Sequence, residues 1–250
     1  MTPPADAIAA ADVFLGLVEA QAPGLVESFH LVGSAVLGDW RAGTSDVDFV
    51  AVTAEPLTEI QRQAVTAALL AYNRLPGRPP IEGEWMSAAE LTRAPQTNPR
   101  VIALRTLDLH GHAVRGERPA GLWRDEAAVR ASILENLDTY WTAWLVRARR
   151  LLTPLGIMML DGWAPAWGVL GVARLAYSLE TGDIASKTAA GRWALARFPK
   201  HRRILLEALR LRAGEGEGLY RRRFPRKREA LAAMAEMMAA CRKSSSSPSA

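Results

Sequence analysis

The pattern of apolar residues changes once along the chain, near residues 119–123, and that change limits the fold more than any other feature. Before it, short β-rich runs are interleaved with helical stretches. After it, every long apolar stretch repeats at helical spacing. Residues 5–19 read as a helix, with Ile8, Val13, Leu15 and Val18 among its apolar positions. Residues 28–32 read as a short buried strand ended by Gly33. Residues 38–45 carry turn chemistry, and 46–52 alternate as a strand does. A helix over 58–74 stops at Pro76-Gly77, and residues 80–86 read as a third strand, because proline is tolerated where a strand begins. Beyond the change, helices are expected over 125–152, 167–179, 187–198, 202–212 and 219–242. The expected architecture is α+β: a small mixed-sheet domain over 1–120, followed by an all-α helical bundle over 121–243. The serine-rich residues 244–250 are expected to form a disordered tail.

Composition narrows the class. A chain of 250 residues that is 49% hydrophobic can bury a core in each half. No apolar run approaches the ~20 residues needed to span a bilayer, and no basic leader precedes Arg41, so no membrane partner and a cytoplasmic location are expected. Cys241 is the only cysteine, which excludes an intrachain disulfide and a Cys-cluster zinc site. Charge is uneven: residues 197–228 hold twelve Lys/Arg against three acids, in a chain whose net charge is +5. Such a segment could attract nucleic acid or polyphosphate. A solvated helix face is the commoner outcome, so nucleic acid is not the expected partner.

The chemistry concentrates in Gly33-Ser34-Ala-Val-Leu-Gly38-Asp-Trp-Arg-Ala-Gly43-Thr-Ser45-Asp46-Val-Asp48. A strand runs into a Gly-Ser turn, a glycine-punctuated spacer follows, and Ser-Asp-x-Asp opens the next strand. Residues i and i+2 of a strand share a face, so Asp46 and Asp48 project side by side. Two adjacent carboxylates repel unless a cation lies between them. Hard oxygen ligands suit Mg²⁺, which completes its shell with water and phosphate oxygens. Gly33 permits close backbone approach, and Ser34 offers an N–H and a hydroxyl to phosphate oxygens. A carboxylate pair beside a phosphate cradle describes metal-assisted phosphoryl or nucleotidyl transfer.

This pattern resembles the DNA-polymerase-β-like nucleotidyltransferase superfamily, whose signature is Gly-Ser, a glycine-containing spacer and Asp-x-Asp. Further along, Leu170-Gly-Val-Ala-Arg174-Leu-Ala-Tyr177, Thr181-Gly182 and Ser186-Lys187-x-x-Ala190-x-x-Trp193 resemble the helical C-terminal domain of the streptomycin/spectinomycin adenylyltransferases. The resemblance implies a nucleotidyltransferase domain followed by a helical domain, with ATP or another NTP as a substrate. It implies two Mg²⁺ held by Asp46 and Asp48, attack of an acceptor hydroxyl on the α-phosphorus, and departure of pyrophosphate. Ser34 and Ser45 match phosphate-contacting positions, Lys187 matches the lysine that reaches the phosphates, and Arg174 is a further candidate beside it. The family's third carboxylate, the base, lies on the next strand, where Glu82 and Glu84 share a face. Glu82 aligns better, and both are retained as candidates.

The implied partners are an NTP and a small-molecule acceptor, an aminoglycoside-like antibiotic being the leading class, and a monomer is expected. The alternative is modification of RNA or protein docked through the basic segment. The His110-Gly-His112 pair is poorly spaced for zinc without further ligands and reads as structural. Trp141 and Trp144 read as helix core, whereas Trp163 and Trp167 replace more polar residues of the resistance enzymes and point to an acceptor with an apolar or ring-shaped face. Asp161, Glu180 and Asp183 are the acids nearest in sequence that a cationic acceptor would need.

Overall fold

A computed structural model describes residues 2–246, which divide into two units between Asp125 and Glu126, a little beyond the boundary expected near residue 120. The first unit contains α1 (Ala5–Gln21), β1 (Ser28–Leu31), a 3₁₀ turn (Gly33–Ala35), β2 (Val47–Thr53) and α2 (Glu59–Asn73). It continues with β3 (Ile81–Ser87), α3 (Ala88–Leu91), α4 (Asn98–His110) and β4 (His112–Arg115). The strands form one mixed sheet in the order β3-β2-β1-β4. β2 runs parallel to β3, with Asp48 opposite Glu82 and Val50 opposite Glu84, while β1 is antiparallel to both β2 and β4.

Alternation along β2 explains both faces of the sheet. Val47, Phe49 and Ala51 join Phe29 and Leu31 of β1 in a core closed by Phe14 and Leu15 of α1 and Tyr72 of α2. Phe29 and Phe49 stack at 4.6 Å, and Phe14 and Trp85 meet Phe49 at 5.4 and 5.9 Å. The opposite face carries Val32, Val50 and Val52, covered by Leu91, Leu104 and Leu107. Because the side chains alternate, Asp48 belongs to this second face, at the end where β2 begins. Phe49 therefore anchors the strand that carries the carboxylates. We expect Phe49→Ala to cost about 3–5 kcal/mol, the range for emptying a buried phenylalanine site. Calorimetric melting of the full chain, compared with wild type, measures this.

β4 and α4 extend the sequence-based reading, which assigned neither. α2 is sharply started: the Thr58 hydroxyl accepts from Gln61 N–H while the Gln61 side chain accepts from Thr58 N–H. On the second sheet face the buried His30 lies 2.9 Å from the Ser28 hydroxyl, and burial pushes its pKa down to about 4, so it is a neutral core histidine at pH 7.

The second unit is helical: α5 (Glu126–Asn136), a π-helical turn (Leu137–Trp141), α6 (Thr142–Arg149), α7 (Pro154–Met158) and α8 (Trp163–Thr181). Then come α9 (Lys187–Arg197), a 3₁₀ turn (Pro199–His201), α10 (Arg202–Ala213) and α11 (Arg223–Ser246). The long helix expected over 125–152 is thus interrupted by the π turn, where Thr142 Oγ1 donates to Leu137 O. α8 begins at Trp163, four positions before the expected start at 167, because Pro165 falls in its first turn, where a missing N–H costs nothing. α11 starts at Arg223 instead of 219, and residues 247–250 of the expected tail lie outside the described residues. The tail was expected from residue 244, yet the described helix runs through Ser246.

α8 is the central element, buried along Val169, Leu170, Val172 and Ala173 and packed by α9, α10 and α11. Two glycines admit tryptophans onto it. A Cβ at Gly168 would lie 2.8 Å from the Trp144 ring, and one at Gly171 would lie 2.5 Å from the Trp141 ring. Trp141 and Trp144 are core, as their spacing implied.

Candidate active site

The turn after β1 is shaped by the carboxylate it faces. Gly33 has φ +63°, a left-handed conformation, and a Cβ there would sit 1.9 Å from Asp48 Oδ2. Both the backbone and the close approach of Asp48 therefore require glycine. Ser34 follows in the 3₁₀ turn, and its buried hydroxyl oxygen has no hydrogen-bond partner among the described residues. An orphaned hydroxyl of this kind costs roughly 1–3 kcal/mol unless something else satisfies it. It sits directly after the glycine that touches Asp48.

The spacer returns the chain to β2 through a closed turn. Ser45 is buried; its N–H donates to Arg41 O at 2.8 Å and its hydroxyl accepts from Arg41 N–H at 2.9 Å. Ser45 thus fixes the residue before Asp46. Farther back, Trp40 Nε1 donates to Asp6 at 2.9 Å, tying the spacer to α1. This tether and the Arg41–Ser45 closure had no signal in the sequence beyond the presence of turn residues.

Asp46, Asp48 and Glu82 converge. Each offers a carboxylate oxygen, and these oxygens lie within 4.8 Å of one another. Asp48 is half-buried and Glu82 exposed. Glu82 reaches the pair because β3 lies parallel to β2 with Glu82 opposite Asp48. Ionised carboxylates at that spacing repel one another. Hard oxygen donors in such a group fit a divalent cation bound mainly through carboxylates.

Glu84 is placed differently. Arg100 Nε donates to Glu84 at 3.2 Å, Arg100 Nη1 donates to Glu90 at 2.8 Å, and Arg100 Nη2 donates to Trp85 O at 3.0 Å. The two glutamates share a strand face, but Glu84 is held by a guanidinium and is not a member of the carboxylate group. Of the two candidates for the base, only Glu82 joins the aspartates. Arg100, on α4, was not singled out in the sequence.

In the second unit, Lys187 opens α9, whose cap is the Ser186 hydroxyl accepting from Ala189 N–H. Arg174 Nε donates to Ala185 O at 3.0 Å, so Arg174 braces the backbone just before Ser186 and Lys187. The acids named as acceptor contacts are engaged locally. Glu180 pairs with Arg197 at 2.8 Å, Asp183 accepts from Ile184 N–H, and Asp161 accepts from Gly162 N–H. Trp163 is 57% exposed and stacks at 5.7 Å on Trp167, which lies 4.9 Å from Trp141. Part of the basic segment is paired within its own unit. Buried Glu207 takes Arg210 and Arg226, Lys200 pairs with Glu236, and Arg203 lies over the Tyr220 ring. The His110 and His112 pair joins no metal-binding group among the described residues.

Comparison with known proteins follows this division. Residues 14–80 match the nucleotidyltransferase domain family, and residues 127–241 match the family described as the C-terminal domain of aminoglycoside adenylyltransferase. A curated aminoglycoside (3'') (9) adenylyltransferase of Escherichia coli is 27% identical over 234 residues, spanning 81% of this chain and 84% of the relative. One of Klebsiella pneumoniae is 27% identical over 236 residues, spanning 82% and 85%. The fold is shared with a spectinomycin adenyltransferase of Enterococcus faecialis, whose crystal structure holds ATP and spectinomycin. That match has a TM-score of 0.69 at 16% identity and covers 94% of this chain and 98% of the other.

The nucleotidyltransferase-domain match and the likeness to aminoglycoside adenylyltransferases make this chain a nucleotidyltransferase enzyme. Along the chain, a match to the nucleotidyltransferase domain is followed by a match to the C-terminal domain of aminoglycoside adenylyltransferase, the proteins to which the chain is similar. No helix among the described residues is long and apolar enough to cross a membrane.

Proposed function

We propose that this enzyme transfers a nucleoside monophosphate, AMP in the leading case, from an NTP to a hydroxyl of a small acceptor of the aminoglycoside antibiotic class. The observation that carries this reading is the convergence of Asp46, Asp48 and Glu82 within 4.8 Å, beside the Gly33–Ser34 turn. When bound at Asp46 and Asp48, Mg²⁺ would neutralise phosphate charge and polarise the α-phosphoryl group. The chain's own groups do the remainder. The Ser34 hydroxyl donates to a phosphate oxygen, which relieves its orphaned state. Glu82 takes the proton of the acceptor hydroxyl as that oxygen bonds to the α-phosphorus, and the bond from phosphorus to the bridging oxygen breaks, releasing pyrophosphate.

Lys187 is the further candidate for a phosphate contact that the resemblance implies, and Arg174 braces Ala185 just before it. We expect Lys187→Ala to weaken NTP binding about tenfold, the effect of one charge-assisted contact, while acceptor affinity changes little. Calorimetric titration with ATP·Mg²⁺ and with acceptor separates the two.

The exposed face of Trp163 favours an acceptor that presents an apolar or ring-shaped surface, since Asp161, Glu180 and Asp183 are already engaged. The alternative, docking of RNA or protein on residues 197–228, is disfavoured by the ion pairs that Arg210 and Arg226 make with buried Glu207. Pyrophosphate release, measured with each NTP, Mg²⁺ and a panel of antibiotics, RNA and protein acceptors, tests the reading. Release that depends on a small hydroxylated acceptor supports it. Release only with a macromolecule, or none with any pair, refutes it.

A further inference from the structure

The second unit contains a cavity of about 560 Å³, none of whose lining residues is among the candidate nucleotidyl-transfer residues. Its walls are Arg149 at the end of α6, Leu151 just beyond it, and Phe224, Lys227, Arg228 and Leu231 on the first turns of α11. That volume suits a small organic molecule. The mouth is apolar and open: Leu151 is 51% and Phe224 59% exposed.

The turn that Lys227 contacts, through Gly156 O, is closed by its own hydrogen bonds. The Thr153 hydroxyl donates to Arg147 O and Arg150 O and accepts from Gly156 N–H, which closes the turn between α6 and α7. A Cβ on Gly156 would meet Arg150 O at 1.6 Å, so only glycine fits there.

Lys227 supplies the second observation. It is 5% exposed, and its ammonium donates to Gly156 O at 2.8 Å. It makes no ion pair among the described residues, and burial pushes its pKa below the ordinary lysine value. An ammonium carries three donors, and a buried cation without a counter-charge is costly. No acid lines the cavity, and Arg149 and Arg228 add two exposed positive charges to it. The neighbouring arginines are occupied elsewhere: Arg226 by Leu160 O, Asp161 O and Glu207, and Arg203 by Tyr220 and Glu229.

We propose that this cavity is a binding site for a small organic anion with an apolar body, such as a medium-chain carboxylate, whose head group meets Lys227, Arg149 and Arg228 and whose body lies against Leu151, Phe224 and Leu231. The carboxylate supplies the missing counter-charge, and the exposed apolar side chains gain cover.

Calorimetric titration of the full chain with decanoate, decanol and inorganic phosphate tests this. Decanoate is expected to bind at one site per chain, with decanol at least about tenfold weaker and phosphate without measurable binding, because charge and apolar body are both needed. Lys227→Met keeps the side-chain volume, and we expect it to weaken decanoate about tenfold while removing the preference over decanol. The double variant Arg149→Gln/Arg228→Gln alters exposed positions only and is expected to weaken decanoate severalfold; it decides the matter if Lys227→Met does not fold. Ala232→Trp, at the exposed rim, should block both decanoate and decanol. Decanoate affinity unchanged in the double variant, equal binding of decanoate and decanol to wild type, or absence of saturable binding overturns the proposal. Adsorption to phosphatidylglycerol vesicles without decanoate binding would assign the apolar mouth to a lipid surface instead, and overturns it too.

Discussion

Asp46→Asn and Asp48→Asn are each expected to lower turnover by roughly 10³-fold or more, the scale on which loss of preorganised charge in a transfer site is felt. The reason is the spacing of the carboxylates. Asp46, Asp48 and Glu82 bring carboxylate oxygens within 4.8 Å of one another, an arrangement whose mutual repulsion a bound cation would relieve. An amide keeps the shape and removes the charge. If the aspartates were structural, the variants would melt earlier. If they serve a cation, Asp46→Asn should melt at the same temperature or higher, because one repulsion has gone. Chelation of wild type with EDTA should abolish pyrophosphate release, and added Mg²⁺ should restore it. Near-normal turnover in either variant, or full activity in EDTA, would remove the metal assignment.

The carboxylate pair was legible because a strand has a period of two. Once residues 46–52 read as a strand, Asp46 and Asp48 had to share a face, and Phe49 had to point into the opposite core. Gly33 was legible as a place of close approach, although what approaches it, the Asp48 carboxylate, depends on the pairing of β1 with β2. Other features escaped for identifiable reasons. β4 is four residues long with Val114 as its one large apolar residue, so it exists through its pairing with β1 and not through a pattern of its own. The 125–152 helix carries a π turn that no local composition announces. The basic segment shows its charges in the sequence but not their partners. Glu207 is 207 residues into the chain and surrounded by arginines, yet only the packing of α10 against α11 reveals that it is buried and takes two of them. Trp163 and Trp167 could not be separated by spacing alone; the structure leaves the first exposed and packs the second, tilted, against the core tryptophans.

Glu82 and Glu84 show the same limit most sharply, and they set the second large effect. Periodicity makes them equivalent, since both lie on one face of β3. Register and a single arginine separate them: Glu82 lies opposite Asp48, whereas Glu84 is held by Arg100 from α4. We expect Glu82→Gln to lower kcat by between about 10²- and 10⁴-fold, the usual contribution of a positioned general base. NTP affinity should be retained. Glu84→Gln should leave kcat within about twofold and cost on the order of 1 kcal/mol in stability, because Arg100 keeps Glu90 and the Trp85 carbonyl as partners. Glu82 also stands among the carboxylates that fit a cation, so loss of activity alone does not distinguish a base from a ligand. The Mg²⁺ dependence does. A ligand's loss would raise the Mg²⁺ concentration needed for half-maximal rate and be overcome at saturation. A base's loss would persist at saturating Mg²⁺. The second pattern is expected. A silent Glu82→Gln beside a crippled Glu84→Gln would reverse the assignment and imply that Arg100 releases Glu84 when the substrates are bound.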